Sequence, residues 1–170
     1  SCCLLSCWQD VVEQWSNWRE PGSPMHVIIG LGNPGSEYRK TPHNVGFWTL
    51  ELLAERWGVT FSRSKHMSRV GEHRLNGERV LLVQPLTYMN RSGKAAGEIR
   101  ESYRLSAPDF LVVHDDLDLP PGRIRIKRGG GGAGGNRGVA SIIEDLGSQD
   151  FARVKIGVGR PPGHSSAVEF

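Results

Sequence analysis

A chain of 170 residues suits one domain, and with 38% hydrophobic and 8% aromatic residues it can bury a core, which excludes a wholly disordered protein. No uncharged apolar run approaches the ~20 residues of a membrane span, and three cysteines confined to Cys2, Cys3 and Cys7 exclude an even-numbered disulfide framework and fit a reducing compartment. The net charge of +3 is unevenly spread: between Leu119 and Ile143 there is no acidic residue, while Arg123, Arg125, Lys127, Arg128 and Arg137 suit either a polyanionic partner or a solvated basic face.

In residues 1–24, Leu4, Leu5, Trp8, Val11, Val12 and Trp15 fall at helical spacing and predict a short amphipathic helix. It runs into the breaker cluster Glu20-Pro21-Gly22-Ser23-Pro24. No basic segment precedes Leu4, and Asp10, Glu13 and Glu20 outnumber Arg19, so a secretory signal and a transit peptide both fit poorly. We expect residues 1–24 to be an extension or expression remnant with little part in the chemistry, and residues 25–170 to be the domain.

From Met25 onward, strand and helix signals alternate. His26-Val27-Ile28-Ile29-Gly30 reads as a buried strand, and Phe47, Leu50, Leu53, Ala54 and Trp57 mark a helix ended by Gly58. Val80–Val83 is a second buried strand, followed by a helix through Ala95, Ala96, Ile99 and Tyr103. Phe110–Val113 is a strand running into His114-Asp115-Asp116-Leu117-Asp118. Gly122–Lys127 alternates like a strand with one wet face. Gly138–Leu146 reads as a helix and Ala152–Gly157 as the last strand. The alternation predicts a single α/β domain with a mixed, mostly parallel twisted sheet flanked by helices, antiparallel pairing being expected around Ile124.

Four segments carry chemistry. Gly30-Leu31-Gly32-Asn33-Pro34-Gly35 matches a dinucleotide fingerprint in form only. Thr41-Pro42 follows too soon for the required helix, so a nucleotide-binding oxidoreductase is disfavoured, and what remains is a turn presenting Asn33 at a strand's carboxyl end. His43-Asn44 sits in a loop, where a histidine can serve catalysis and Asn44 can cap the next helix. The run His114–Asp118 offers carboxylates that could bind a cation, orient a histidine or bond a local turn; no partner motif supports zinc. Asn90, just before a helix, is most economically its N-cap.

In order and wording these segments resemble the bacterial-type peptidyl-tRNA hydrolases from Val27 to about Arg160. The similarity rests on Gly30–Gly35, Tyr38, His43-Asn44-Val45-Gly46, Tyr88-Met89-Asn90 with Ser92-Gly93, His114–Asp118 with Pro121-Gly122, the glycine-rich tract, and Ile156–Pro161. The resemblance implies hydrolysis of the ester between peptide and tRNA, with no metal or organic cofactor. His43 is then the catalytic histidine and Asp115 its carboxylate partner. Asn33 and Asn90 hold the peptidyl-tRNA end and the attacking water, and Tyr38 and Met89 shape the crevice. An unperturbed imidazole near ~6.5 suits a base at neutral pH.

Arg123, Arg125, Lys127, Arg128 and Arg137 would meet acceptor-stem phosphates. Where the family has Gly-His-Asn-Gly, this chain has Gly135-Asn136-Arg137-Gly138. Asn136 stands in for the family's asparagine at the substrate if the loop shifts register, and Arg137 otherwise adds a phosphate contact. The chain stops at Phe170, where the family continues to a C-terminal helix, so that helix is expected to be missing. A monomer in the cytoplasm is expected, an organelle being the other placement. The rival reading is a catalytically inactive RNA-binding protein on the same scaffold.

Overall fold

The computed structural model describes residues 2–18, 22–64 and 66–160. Residues 161–170 and Glu20-Pro21 of the expected breaker cluster lie outside the described residues.

Four short apolar runs form the parallel centre of a seven-stranded sheet: β1 (His26–Gly30), β4 (Glu78–Pro85), β5 (Phe110–Asp116) and β7 (Ala152–Gly157). The remaining strands are β2 (Ser62–Ser64), β3 (Ser68–Leu75) and β6 (Ile124–Lys127), and the order is β2-β3-β4-β1-β5-β7-β6. β1 pairs in parallel with β4 and β5, and β5 with β7. The flanking pairs β2–β3, β3–β4 and β6–β7 are antiparallel, so the edges carry more antiparallel structure than the pairing expected around Ile124 alone.

Helices cover both faces, which is why the central strands are apolar without strict alternation. On one face Val27, Ile29, Leu81, Val83, Phe110 and Val112 pack with Ala96 and Ile99 of α3 (Ser92–Tyr103) and Val139 and Ile142 of α4 (Arg137–Leu146). On the other, Ile28, Leu82, Leu111, Val113 and Val154 pack with Leu50 and Leu53 of α2 (Val45–Trp57). This second face is also covered by α1 (Cys2–Trp18), which buries Trp8, Val11 and Trp15 there. The segment expected to be an extension therefore contributes to the core, and truncating a buried tryptophan such as Trp15 typically costs ~3–5 kcal/mol.

Two local readings change. The β2–β3 pair was not expected, because β3 carries Arg69, Glu72, His73 and Arg74 and buries little beyond Ser68 and Gly71. Asn90 does not cap α3: that helix begins at Ser92 with Arg91 in the cap position, and Asn90 sits in the helical turn Met89–Arg91 before it.

Candidate active site

The carboxyl ends of β1, β4, β5 and β7 open into one crevice of about 900 Å³, the place where open α/β sheets hold ligands. Its floor is set by a close backbone approach. Leu31 N–H donates to the Val113 carbonyl at 2.9 Å, extending β1 along β5 past Gly30. The start of α2 presses on this junction at Gly46, where a Cβ would lie 2.5 Å from Leu31 N and 2.6 Å from the Val113 oxygen. Only a residue without a side chain fits, and the fit brings the helical turn Pro42–Asn44 against the end of β5.

His43 and Asp115 meet there. Nδ1 of His43 lies 2.6 Å from Oδ2 of Asp115, with the histidine 24% exposed and the aspartate 5%. A carboxylate only accepts, so Nδ1 carries the proton. The other oxygen of Asp115, Oδ1, accepts from Nδ2 of Asn136 at 3.1 Å. Asn136 in turn caps α4, its Oδ1 accepting from Val139 N–H at 3.0 Å. Both ends of the Asn136 amide are thus engaged within the protein, although the residue lines the crevice.

Asn33 is held by two ties. Its N–H donates to Asn44 Oδ1 at 2.8 Å, and Asn44 Nδ2 donates back to the Asn33 carbonyl at 3.0 Å. Asn44 therefore serves the Asn33 loop, and its side chain makes no cap bond to α2. The side-chain Oδ1 of Asn33 accepts from Met89 N–H at 2.7 Å, which joins the β1 and β4 loops. Its Nδ2 has no partner among the described residues. Met89 and the exposed Asn90 line the same crevice; Tyr38 does not line it, but packs edge-on against Tyr88, a lining residue, at 6.4 Å between ring centroids.

The basic residues divide. Arg137, first residue of α4, lines the crevice, whereas Arg123, Arg125, Lys127 and Arg128 lie along edge strand β6 and its flanks. Arg125 is opposite Lys155 of β7 in register, so this basic strip borders the crevice wall. Lys155, Arg160 and Arg91 also line the crevice and were not anticipated; Lys155 reaches it because β7 pairs it with His114 near the strand ends, a register that the sequence does not display. Arg160 forks onto Asp118, with Nε at 3.0 Å and Nη2 at 2.8 Å.

The remaining carboxylates have local work. Asp116 Oδ1 accepts from Asp118 N–H at 2.8 Å, a turn-forming bond. Among the described residues no group of three His, Cys, Asp or Glu side chains is gathered to hold a metal ion. His114 is buried, and its ring Nδ1 donates to the Asp115 carbonyl at 2.7 Å. Burial pushes its pKa below the ordinary value, and the neighbouring Lys155 and Arg153 act in the same direction. No described helix is long and apolar enough to cross a membrane.

Residues 27–170 match the profile of the peptidyl-tRNA hydrolase family. The peptidyl-tRNA hydrolase of Brevibacillus brevis is 49% identical over 142 residues, covering 83% of this chain and 75% of that protein. That of Syntrophomonas wolfei is 51% identical over 139 residues, covering 82% and 75%. The crystal structure of the Acinetobacter baumannii peptidyl-tRNA hydrolase superposes with a TM-score of 0.80 at 40% identity, over 89% of this chain and 76% of the other. With this match in sequence and fold, and the chain spanning about three-quarters of each of these proteins, it belongs to the peptidyl-tRNA hydrolase family.

Proposed function

We propose that the chain hydrolyses the ester joining a peptide to the 3′ end of tRNA, releasing free tRNA and peptide. The observation that carries this reading is the 2.6 Å contact between His43 and Asp115 in the crevice of a chain of this family. With the proton on Nδ1, the basic nitrogen of His43 is Nε2. It takes a proton from water as the water oxygen bonds to the ester carbonyl carbon, and returns a proton to the ribose oxygen as the ester C–O bond breaks. Asp115 holds the ring and stabilises the imidazolium between those two events.

Asn33 Nδ2 and the Asn90 amide donate to the carbonyl oxygen as its negative charge grows; one such donor is typically worth ~3–4 kcal/mol. Met89 and Tyr88, against which Tyr38 packs edge-on, give the crevice an apolar wall. Arg137 and Lys155 at the crevice, with Arg123, Arg125, Lys127 and Arg128 on the bordering strip, meet acceptor-stem phosphates, an attraction that carries little sequence information. The scheme uses no metal or organic cofactor. One chain carries every group named, so a monomer suffices, and its substrate arises where translation runs, which favours the cytoplasm or a translating organelle.

Peptide release from a peptidyl-tRNA, followed for this chain and for His43→Ala, tests the reading. A loss of roughly 10²–10⁴-fold in the variant is expected for a general base. Equal rates remove His43 from the mechanism. Binding of tRNA without release by either protein leaves a binding module that has lost catalysis.

A further inference from the structure

Arg153 extends from β7 into the protein and is 2% exposed. Its guanidinium lies 4.6 Å from the centroid of the Phe151 ring. Nη1 donates to the Gly132 carbonyl and Nη2 to the Gln149 carbonyl at 3.5 Å. Among the described residues no carboxylate forms an ion pair with it. A buried cation without an anionic partner is costly, so these carbonyl bonds must offset its desolvation.

The loop it reaches explains the arrangement. Gly129–Gly135 has one side chain beyond a hydrogen, that of Ala133, and Gly130, Gly131, Gly132, Gly134 and Gly135 all have positive φ. Such backbone is free to take many shapes and keeps one only where outside groups tie it. Gly130 N–H donates to the Gln149 carbonyl at 2.9 Å, and Gly132 N–H to the Gln149 side-chain oxygen at 3.3 Å. Arg153 grips both sides of this fastening, the loop at Gly132 and the anchor at Gln149. Beyond it, Ala133, Gly134 and Gly135 line the crevice, and the Ala133 carbonyl receives the N–H of Asn136, the residue that reaches Asp115.

We infer that Arg153 is a positioning residue that fixes the glycine loop as one wall of the crevice, and so sets affinity for the tRNA end without touching the reacting atoms. Its kinetic consequence rests on the proposed hydrolysis; its effect on the loop does not.

The test compares Arg153→Met and Arg153→Lys in the full chain. Methionine keeps the unbranched apolar stem but removes charge and donors; lysine restores a charge and donors without the planar fork. The methionine variant is expected to keep its melting temperature or raise it, since apolar replacement of buried charge is often neutral or stabilising. Amide exchange across Gly129–Gly135 should quicken about tenfold and KM rise about tenfold with kcat within about twofold, as when uniform binding is removed. The lysine variant should fall between. A folded methionine variant with wild-type exchange and KM overturns the inference, as does loss of kcat in step with melting temperature. If the methionine variant does not fold, the lysine variant decides by the same exchange and KM. If the wild-type chain releases no peptide, the proposed reaction fails, and the exchange data alone decide the role of Arg153.

Discussion

The side-chain amide of Asn136 donates to Asp115 at 3.1 Å on the carboxylate oxygen that His43 does not use. Its orientation follows from the helix it starts: because Oδ1 caps α4 at Val139, Nδ2 must face Asp115. A residue expected at the substrate thereby braces the carboxylate that pairs with His43.

Replacing Asn136 by serine keeps an N-cap and removes the donor to Asp115. Without that bond the Asp115 carboxylate, and through it the His43 ring, is held by one contact fewer. The kcat for peptide release should fall by about tenfold, as for the loss of one hydrogen bond to a charged group, with helix stability nearly kept. A kcat equal to that of the wild-type chain would separate Asn136 from the pair.

Gly46→Ala forces a Cβ into the Leu31 and Val113 backbone. Overpacking of this kind typically costs ~1–3 kcal/mol, and relief requires α2 to retreat and carry His43 from Asp115. Both the denaturation midpoint and kcat should fall, whereas Gly77→Ala, which meets nothing within 4 Å, should leave kcat alone despite its positive φ.

His114 gives a pH dependence of stability. Its folded pKa is depressed below the ordinary 6.5, chiefly by burial, so the unfolded chain takes up its proton first as pH falls. The stability it supports is present above about 6.5 and is lost as pH drops toward the folded value. Among the groups around it, Asp115 favours its charged form and Lys155 and Arg153 oppose it. His114→Asn can still donate to the Asp115 carbonyl but does not titrate, so chemical denaturation between pH 7.5 and about 5 should show a shallower decline than the wild type. Parallel declines would place the sensitivity elsewhere.

Much of this architecture was legible because the central strands are buried on both faces and read as apolar runs: Val27–Ile29, Val80–Val83 and Phe110–Val113 leave little room for another reading. The β3 strand was not legible, since its place beside the three-residue edge strand β2 leaves Arg69, Glu72 and Arg74 on wet surfaces and hides any alternation. His43 and Asp115 were linked through family resemblance; no local pattern announces a contact spanning 72 positions. The bracing role of Asn136 and the position of Arg153 were not legible for the same reason, as each acts through a partner 21 positions away that only the folded sheet brings near. The core role of α1 was foreshadowed by the spacing of Trp8, Val11 and Trp15, but spacing names no surface for a helix to cover.

Binding of tRNA should depend on the basic strip through counterion release. For a duplex acceptor stem, each phosphate that the protein no longer neutralises lowers the slope of log K against log salt by roughly 0.9. Arg123→Ala with Arg128→Ala should therefore flatten the slope while leaving kcat at saturating substrate close to wild type. A slope unchanged in a salt titration would take the strip out of the interface.

The pairing of His43 with Asp115 is tested most directly by the release rate of peptide in a double-mutant cycle of His43→Ala, Asp115→Asn and their combination. Groups that work as one unit give non-additive losses, so the double variant should be within about threefold of the slower single variant, both singles being at least roughly 10²-fold below wild type. Multiplying losses, or either single variant releasing peptide at the wild-type rate, would contradict a shared role in activating water.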